Sequence, residues 1–260
     1  MKNALKSGYA PVNGLNMYYE IHGDGNMPLV LIHGGGSTIE TSFSNILHLL
    51  SAHYKVIAVE LQAHGRTNDR TAPESFEQDA DDVATLLKYL NIGKANFFGF
   101  SNGGTTTLQI AIRHSGVVNK IITLAAAYRR DGFFDGFFDG FENASLDSMP
   151  GPLKTAFLAV NPDENALLNM FNRDVERMKN FTDIPDSDIL AINASALIIA
   201  GDKDVMSTEH TVNIARLIPG AQLAILPGIH GECIGEICTA KPGSKMPEIT
   251  VMLIREFLNG

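Results

Sequence analysis

Cysteine is scarce in this chain: two residues, Cys233 and Cys238, among 260. They stand close together near the C-terminus, so no disulfide framework is implied and a reducing compartment fits. Basic residues are in deficit as well, with 20 Lys and Arg against 29 Asp and Glu. The resulting formal charge of −9 argues against nucleic acid or an anionic membrane surface, both of which attract basic patches. No apolar run is long enough to span a bilayer. The opening MKNALKSGYA has a lysine but no apolar stretch behind it, so no signal peptide is expected and the default location is cytoplasmic. Low-complexity tails and long charge runs are also missing, and 45% hydrophobic with 19% charged residues is a globular composition. The expected partner is a small-molecule substrate, with no nucleic acid, no membrane insertion and room for a homodimer.

What is present is an alternation of short apolar runs and helical patterns. Tyr9 to Val12, the turn Asn13-Gly14 and the alternating Leu15 to Ile21 read as a hairpin. Strands are expected at Leu29 to Ile32, Lys55 to Val59, Ala95 to Phe100, Val118 to Leu124, Ala196 to Ala200 and Gln222 to Leu226. Their apolar residues are nearly continuous, as in strands buried on both faces of a parallel sheet. Helices are expected between and after them, at Thr41 to Ser51, Phe76 to Leu90, Gly104 to His114, Glu209 to Leu217 and Pro247 to Leu258. This rhythm is that of a doubly wound α/β sheet.

Residues 128–193 break the rhythm and read as a helical cap inserted into a core made of 1–127 and 194–260. Asn161, Pro162 and Glu164 suggest an N-cap, a first-turn proline and a capping acid ahead of an apolar stripe through Leu167, Phe171, Val175 and Met178. The period-four stretch DGFFDGFFDGF predicts a helix, because Phe133, Phe137 and Phe141 align with Phe134 and Phe138. Its glycines each cost about 1 kcal/mol relative to alanine, so such a helix would depend on what its phenylalanines touch and is a candidate for a movable lid.

The chemistry concentrates at Gly99-Phe100-Ser101-Asn102-Gly103, after a predicted strand and before a predicted helix. In that context GxSxG is a nucleophile elbow: a tight turn lifts the serine hydroxyl above the sheet and sets the Asn102 N–H at a helix mouth. LVLIHGGGS supplies a glycine loop whose N–H groups can approach a substrate oxygen, with Gly35 the donor to pair with Asn102. A phosphate loop fits less well, since GxGxxG fails at Ile39 and no lysine follows. A serine needs a base and the base an orienting carboxylate. With an elbow of this kind the chain order is serine, acid, histidine. Of the histidines after Ser101, His114 lies too far down its helix, His210 falls within a helical pattern, and His230 follows the last strand at the sheet edge where Ser101 emerges. The acid comes from AGDKD, which offers Asp202 and Asp204.

HGGGS, VIAVELQAHGRT, GFSNGG, AGDKD and PGIHG, in this order, resemble the α/β-hydrolase superfamily over nearly the whole length. The resemblance implies an α/β-hydrolase fold: a mostly parallel sheet, an N-terminal antiparallel hairpin and a helical cap. It implies a triad of Ser101, Asp204 and His230, with Asp202 bracing its turn, and an oxyanion hole from Gly35 and Asn102. VELQAHGRT is similar to the DLRGHGRS stretch of such enzymes, with Glu60 and Ala63 as departures, and implies that His64 and Arg66 brace the active-site loops. The expected activity is cleavage of an ester or thioester of a small, largely apolar substrate, without a cofactor. Phe134, Phe137, Met170 and Met178 are expected to form the pocket. A serine excludes relatives that need a carboxylate nucleophile. Carbon–carbon bond hydrolysis and cofactor-free perhydrolysis use the same triad, and a non-catalytic ligand receptor is the reading outside enzymes. Zinc on His230, Cys233 and Cys238 is disfavoured because only three ligands are offered; the thiols are expected in a loop bordering the pocket.

Overall fold

The computed structural model describes residues 6–260. Eight strands form one sheet: β1 (Lys6–Val12), β2 (Leu15–His22), β3 (Leu29–Ile32), β4 (Val56–Val59), β5 (Ala95–Phe100), β6 (Val118–Leu124), β7 (Ser195–Lys203) and β8 (Gln222–Ile229). Their order is β1-β2-β4-β3-β5-β6-β7-β8. β1 pairs antiparallel with β2 and β2 with β4, and every later pairing is parallel. Asn13 and Gly14 both take positive φ, 44° and 85°, which is the turn that matches the twist of a two-residue hairpin.

Helices α1 (Ile39–Ser51), α2 (Phe76–Tyr89) and α3 (Asn102–Arg113) follow β3, β4 and β5, while α8 (Thr208–Leu217) and α9 (Met246–Asn259) follow β7 and β8. Between β6 and β7 lie α4 (Asp139–Glu142), α5 (Gly151–Val160), α6 (Glu164–Lys179) and α7 (Asp186–Leu190). Strand side chains alternate between two clusters, one against α2, α3 and α8 and the other against α1 and α9. β3, β4 and β5 are buried throughout, as their unbroken apolar runs require. β8 differs, because an edge strand has one open side and most of its residues keep some exposure.

Two expectations for the inserted segment need correction. The phenylalanine repeat is not a helix through its length: only Asp139–Glu142 is helical, Gly136 turns at φ 81°, and Phe133 makes an isolated bridge to Met206. Glycine at every fourth position weakens a helix, and the rings gain more by packing on one another. Phe133 stacks on Phe137 at 4.3 Å between centroids and meets Phe138 edge-on at 5.0 Å. The cap of α6 is Asp163 rather than Asn161, and its side chain accepts from Asn165 N–H. Asn161 instead donates to the Gly65 carbonyl. Among the described residues no helix is long and apolar enough to cross a membrane.

The elbow depends on close backbone packing. A Cβ on Gly103 would collide with the carbonyls of Ile32 and His33, and one on Gly99 with the Gly103 carbonyl. None of these atoms can yield without moving β3 or α3. Gly103→Ala is therefore expected to lose about 3 kcal/mol or more of stability, read as a lowered urea midpoint. A wild-type midpoint would contradict this packing.

Candidate active site

β5 ends at Phe100 and α3 begins at Asn102, so Ser101 is the whole connection. Its φ of 55° is a left-handed conformation that non-glycine residues seldom take, and such strain persists where the surroundings enforce it. Ser101 N–H is held by the Leu124 carbonyl at 2.8 Å, and the Ser101 carbonyl accepts from Gly104 N–H at 2.8 Å. The hydroxyl is thereby raised over the C-terminal edge of the parallel strands.

His230 follows β8 and its Nε2 lies 3.0 Å from Ser101 Oγ. Its Nδ1 lies 2.6 Å from Asp204 Oδ1. Asp204 also accepts from the N–H groups of Gly201 at 3.2 Å and Val205 at 2.8 Å. Burial alone would raise its pKa, but the His230 hydrogen bond and charge and the two N–H groups outweigh burial, so it is held below its usual value. A carboxylate in this position makes Nδ1 the donor toward Asp204 and leaves Nε2 free to accept from the serine. Asp202 accepts from Gly228 N–H at 2.7 Å, bracing the β7–β8 connection. The other two histidines are elsewhere: His114 pairs with Asp81, and His210 stacks on Tyr128 and accepts from its N–H.

The glycine loop lies beside the serine. Gly34 N–H gives to Ser42 Oγ at 3.4 Å and Gly36 N–H to Asp174 Oδ2 at 2.5 Å. Among the described residues no acceptor meets the N–H of Gly35 or of Asn102. Asn102 opens α3, where an N–H has no partner inside the helix. Two unspent donors thus flank the hydroxyl, the arrangement that can hold an oxyanion.

His33 and His64 support the loop in opposite protonation states, with ring centroids 4.9 Å apart. His33 is buried, which pushes its pKa down to about 3; the neutral ring donates from Nδ1 to the Gly34 carbonyl at 2.7 Å and accepts from Leu61 N–H at 3.1 Å. His64 is also buried, but Asp174 and Glu74 overcome desolvation and lift it to about 9. It donates from Nδ1 to the Gln62 carbonyl at 2.7 Å and from Nε2 to Asp174 at 3.1 Å. Arg66 reaches Glu60 and Glu40 and lies over the Tyr18 ring, so it ties the β4 loop to β2 and α1.

Asp174 was not legible as a site residue. It projects from α6, is mostly but not fully buried, and holds Gly36 N–H, His64 and Arg177 together. Arg177 also reaches Asp79 of α2 at 2.9 Å, and Arg173 pairs with Asp69 at 2.8 Å. These bonds fasten α6 onto the core beside the glycine loop. The available signal was an acid three residues before an arginine on an otherwise apolar helix face.

Two chambers open on Ser101. The larger, about 290 Å³, includes Gly35, Gly36, Asn102, Phe137, Met170, Asp174 and Met178 among its walls. The smaller, about 150 Å³, includes Phe133, Phe137, Met178, Val205 and His230. Phe137, Met170 and Met178, three of the four residues expected in the pocket, line the larger chamber. Phe134 does not: it is 56% exposed and borders neither chamber, because the turn that replaces the expected helix directs it outward. The thiols are likewise away from the chambers, Cys233 buried in the core cluster with its pKa pushed up to about 12 by burial, and Cys238 exposed. Among the described residues no cluster of His, Cys, Asp and Glu could hold a metal ion. A larger polar cavity of about 540 Å³ lies at Tyr128, Asp186 and His210 and does not include Ser101.

Residues 27–146 match the family model of the alpha/beta hydrolase fold, a span that contains the glycine loop and Ser101 but stops before Asp204 and His230. The meta-cleavage product hydrolase from Pseudomonas fluorescens superposes with a TM-score of 0.77 over 98% of each chain, at 22% identity. The chain has the α/β-hydrolase fold. The chain is 26% identical to the human serine hydrolase BPHL over 240 residues, 86% of this chain and 79% of that one. It is 29% identical to the 2-hydroxy-6-oxo-6-(2'-aminophenyl)hexa-2,4-dienoic acid hydrolase of Metapseudomonas resinovorans over 129 residues, 48% of this chain and 44% of the relative.

Removing Asp174 leaves Arg177 and His64 charged and buried without their shared partner. Asp174→Ala is expected to cost about 3–5 kcal/mol, measured by denaturant unfolding; a loss below about 1 kcal/mol would mean that the latch contributes little. The raised pKa of His64 also sets a pH dependence. The folded state binds this proton more tightly than the unfolded chain, so its stabilisation is complete below about 6.5 and is lost as pH rises through about 9. Unfolding midpoints should fall across that window in the wild type and fall less in His64→Gln; equal slopes would contradict a charged His64.

Proposed function

We propose that this protein of α/β-hydrolase fold is a serine hydrolase that cleaves an ester or thioester of a small, largely apolar substrate through an acyl-enzyme. The observation that carries the reading is the continuous chain from Ser101 Oγ to His230 Nε2 at 3.0 Å and from His230 Nδ1 to Asp204 at 2.6 Å, beside two unspent N–H donors. His230 takes the Ser101 proton as Oγ attacks the carbonyl carbon, and Asp204 stabilises the imidazolium. The oxyanion is received by Gly35 and Asn102 N–H groups. The imidazolium then gives its proton to the leaving oxygen or sulfur, the bond to the acyl carbon breaks, and an acyl-serine remains. Water activated by His230 releases the acid and restores the serine. Residues 128–193 act as the cap over the two chambers.

Carbon–carbon bond hydrolysis on the same triad is the rival reading, and the Metapseudomonas relative, named a hydrolase of a dienoic acid, would make such a substrate an anion. The charge in the chambers weighs against it. Asp174 lines the larger chamber, no lysine, arginine or histidine does, and His230 is the single basic residue bordering the smaller. A substrate carboxylate would meet a buried carboxylate without a free cation to receive it.

A fluorophosphonate should label one residue, mapped by mass spectrometry to Ser101. Ser101→Ala should lose both the label and the burst with a short activated ester, with turnover down at least about 10³-fold. Labelling of another residue, or undiminished turnover by Ser101→Ala, would refute the assignment, and tight ligand binding without turnover would favour a receptor.

A further inference from the structure

The position of His230 relative to the two chambers gives the substrate a direction. This step rests on the serine acyl-transfer reading. Of the groups around Ser101, His230 borders only the smaller chamber, whereas Gly35 and Gly36 border only the larger. In the tetrahedral intermediate the acyl carbon carries Ser101 Oγ, the oxyanion, the acyl chain and the leaving group. The leaving atom must lie within hydrogen-bond reach of His230 Nε2, because that nitrogen returns the proton as the bond breaks. With the oxyanion on the Gly35 and Asn102 N–H groups, the leaving group points into the chamber that His230 lines, and the acyl chain is directed to the other.

We propose that the smaller chamber is the leaving-group site and the larger one the acyl site, so that preferred substrates join a longer uncharged acid to a short alcohol or thiol. The smaller chamber, about 150 Å³ and bounded by Ala127, Phe133, Phe181, Val205 and Met206, is about the size of a cavity that holds one benzene ring. The larger, about 290 Å³, runs along Met149, Leu153, Met170 and Phe171 and takes a chain of about twice that bulk. Phe137 and Met178 border both chambers and separate them. Val205 and Leu153 are therefore the side chains that set the length accepted on each side.

Methyl octanoate and heptyl acetate are isomers that place the same long chain on opposite sides of the ester. With the full chain, methyl octanoate should have the higher kcat/KM by at least about tenfold, the scale on which a pocket separates chains by size. Val205→Ala should narrow that ratio by admitting the longer alcohol. Leu153→Trp should slow methyl octanoate while sparing methyl butanoate. Equal or faster turnover of heptyl acetate overturns the assignment. So does failure to turn over either isomer by a protein whose Ser101 still takes the fluorophosphonate, an outcome that leaves the nucleophile reading standing. Absence of both label and turnover overturns the nucleophile reading itself.

Discussion

Backbone packed against backbone at the end of β5 is the constraint on which the rest of this structure depends. Gly99 and Gly103 let α3 start almost in contact with β3 and β5, and that closeness holds Ser101 at φ 55°. The strain is local, but its geometric effects reach further. It lifts one hydroxyl clear of the sheet, turns the first N–H of α3 toward the same point, and places both next to the glycine loop that follows β3. A side chain at either glycine would push the helix away and separate these three features.

Burial is used in opposite senses around that point. Asp204 is buried yet charged, because His230 and two N–H groups compensate for lost water. His33 is buried and neutral, spending both ring nitrogens on the backbone of the loops it joins. His64, a few ångströms away, is buried and charged because Asp174 is there. Through Asp174 the helix α6 becomes part of the glycine loop's support. The same carboxylate is the one acidic group among the residues lining the larger chamber.

The core was legible because its signals are local and repeated. Continuous apolar runs, the Asn13-Gly14 turn and the glycine spacing around Ser101 each have a single good structural solution. Ser101 and His230 followed from position after a strand, since strand ends share one edge. Asp204 was favoured over Asp202 by turn chemistry and by the family resemblance together; in the structure β7 continues through Asp202, which turns that carboxylate to Gly228 and leaves Asp204 facing His230. The phenylalanine segment was misread because its period of four fits a helix stripe, whereas its rings find better partners in one another and in Phe181. Phe134, expected in the pocket, was lost to solvent by the same turn.

By itself, the order of residues determined the α/β alternation, the elbow at Ser101 and the set of residues from which a base and an acid could come. These are consequences of backbone sterics and of hydrophobic period, which act over a few neighbours. The tertiary structure alone decided that Asp174 holds the glycine loop and that two unequal chambers meet at Ser101. Each of those depends on distances between segments more than twenty residues apart, where packing of whole elements, rather than local preference, sets the outcome.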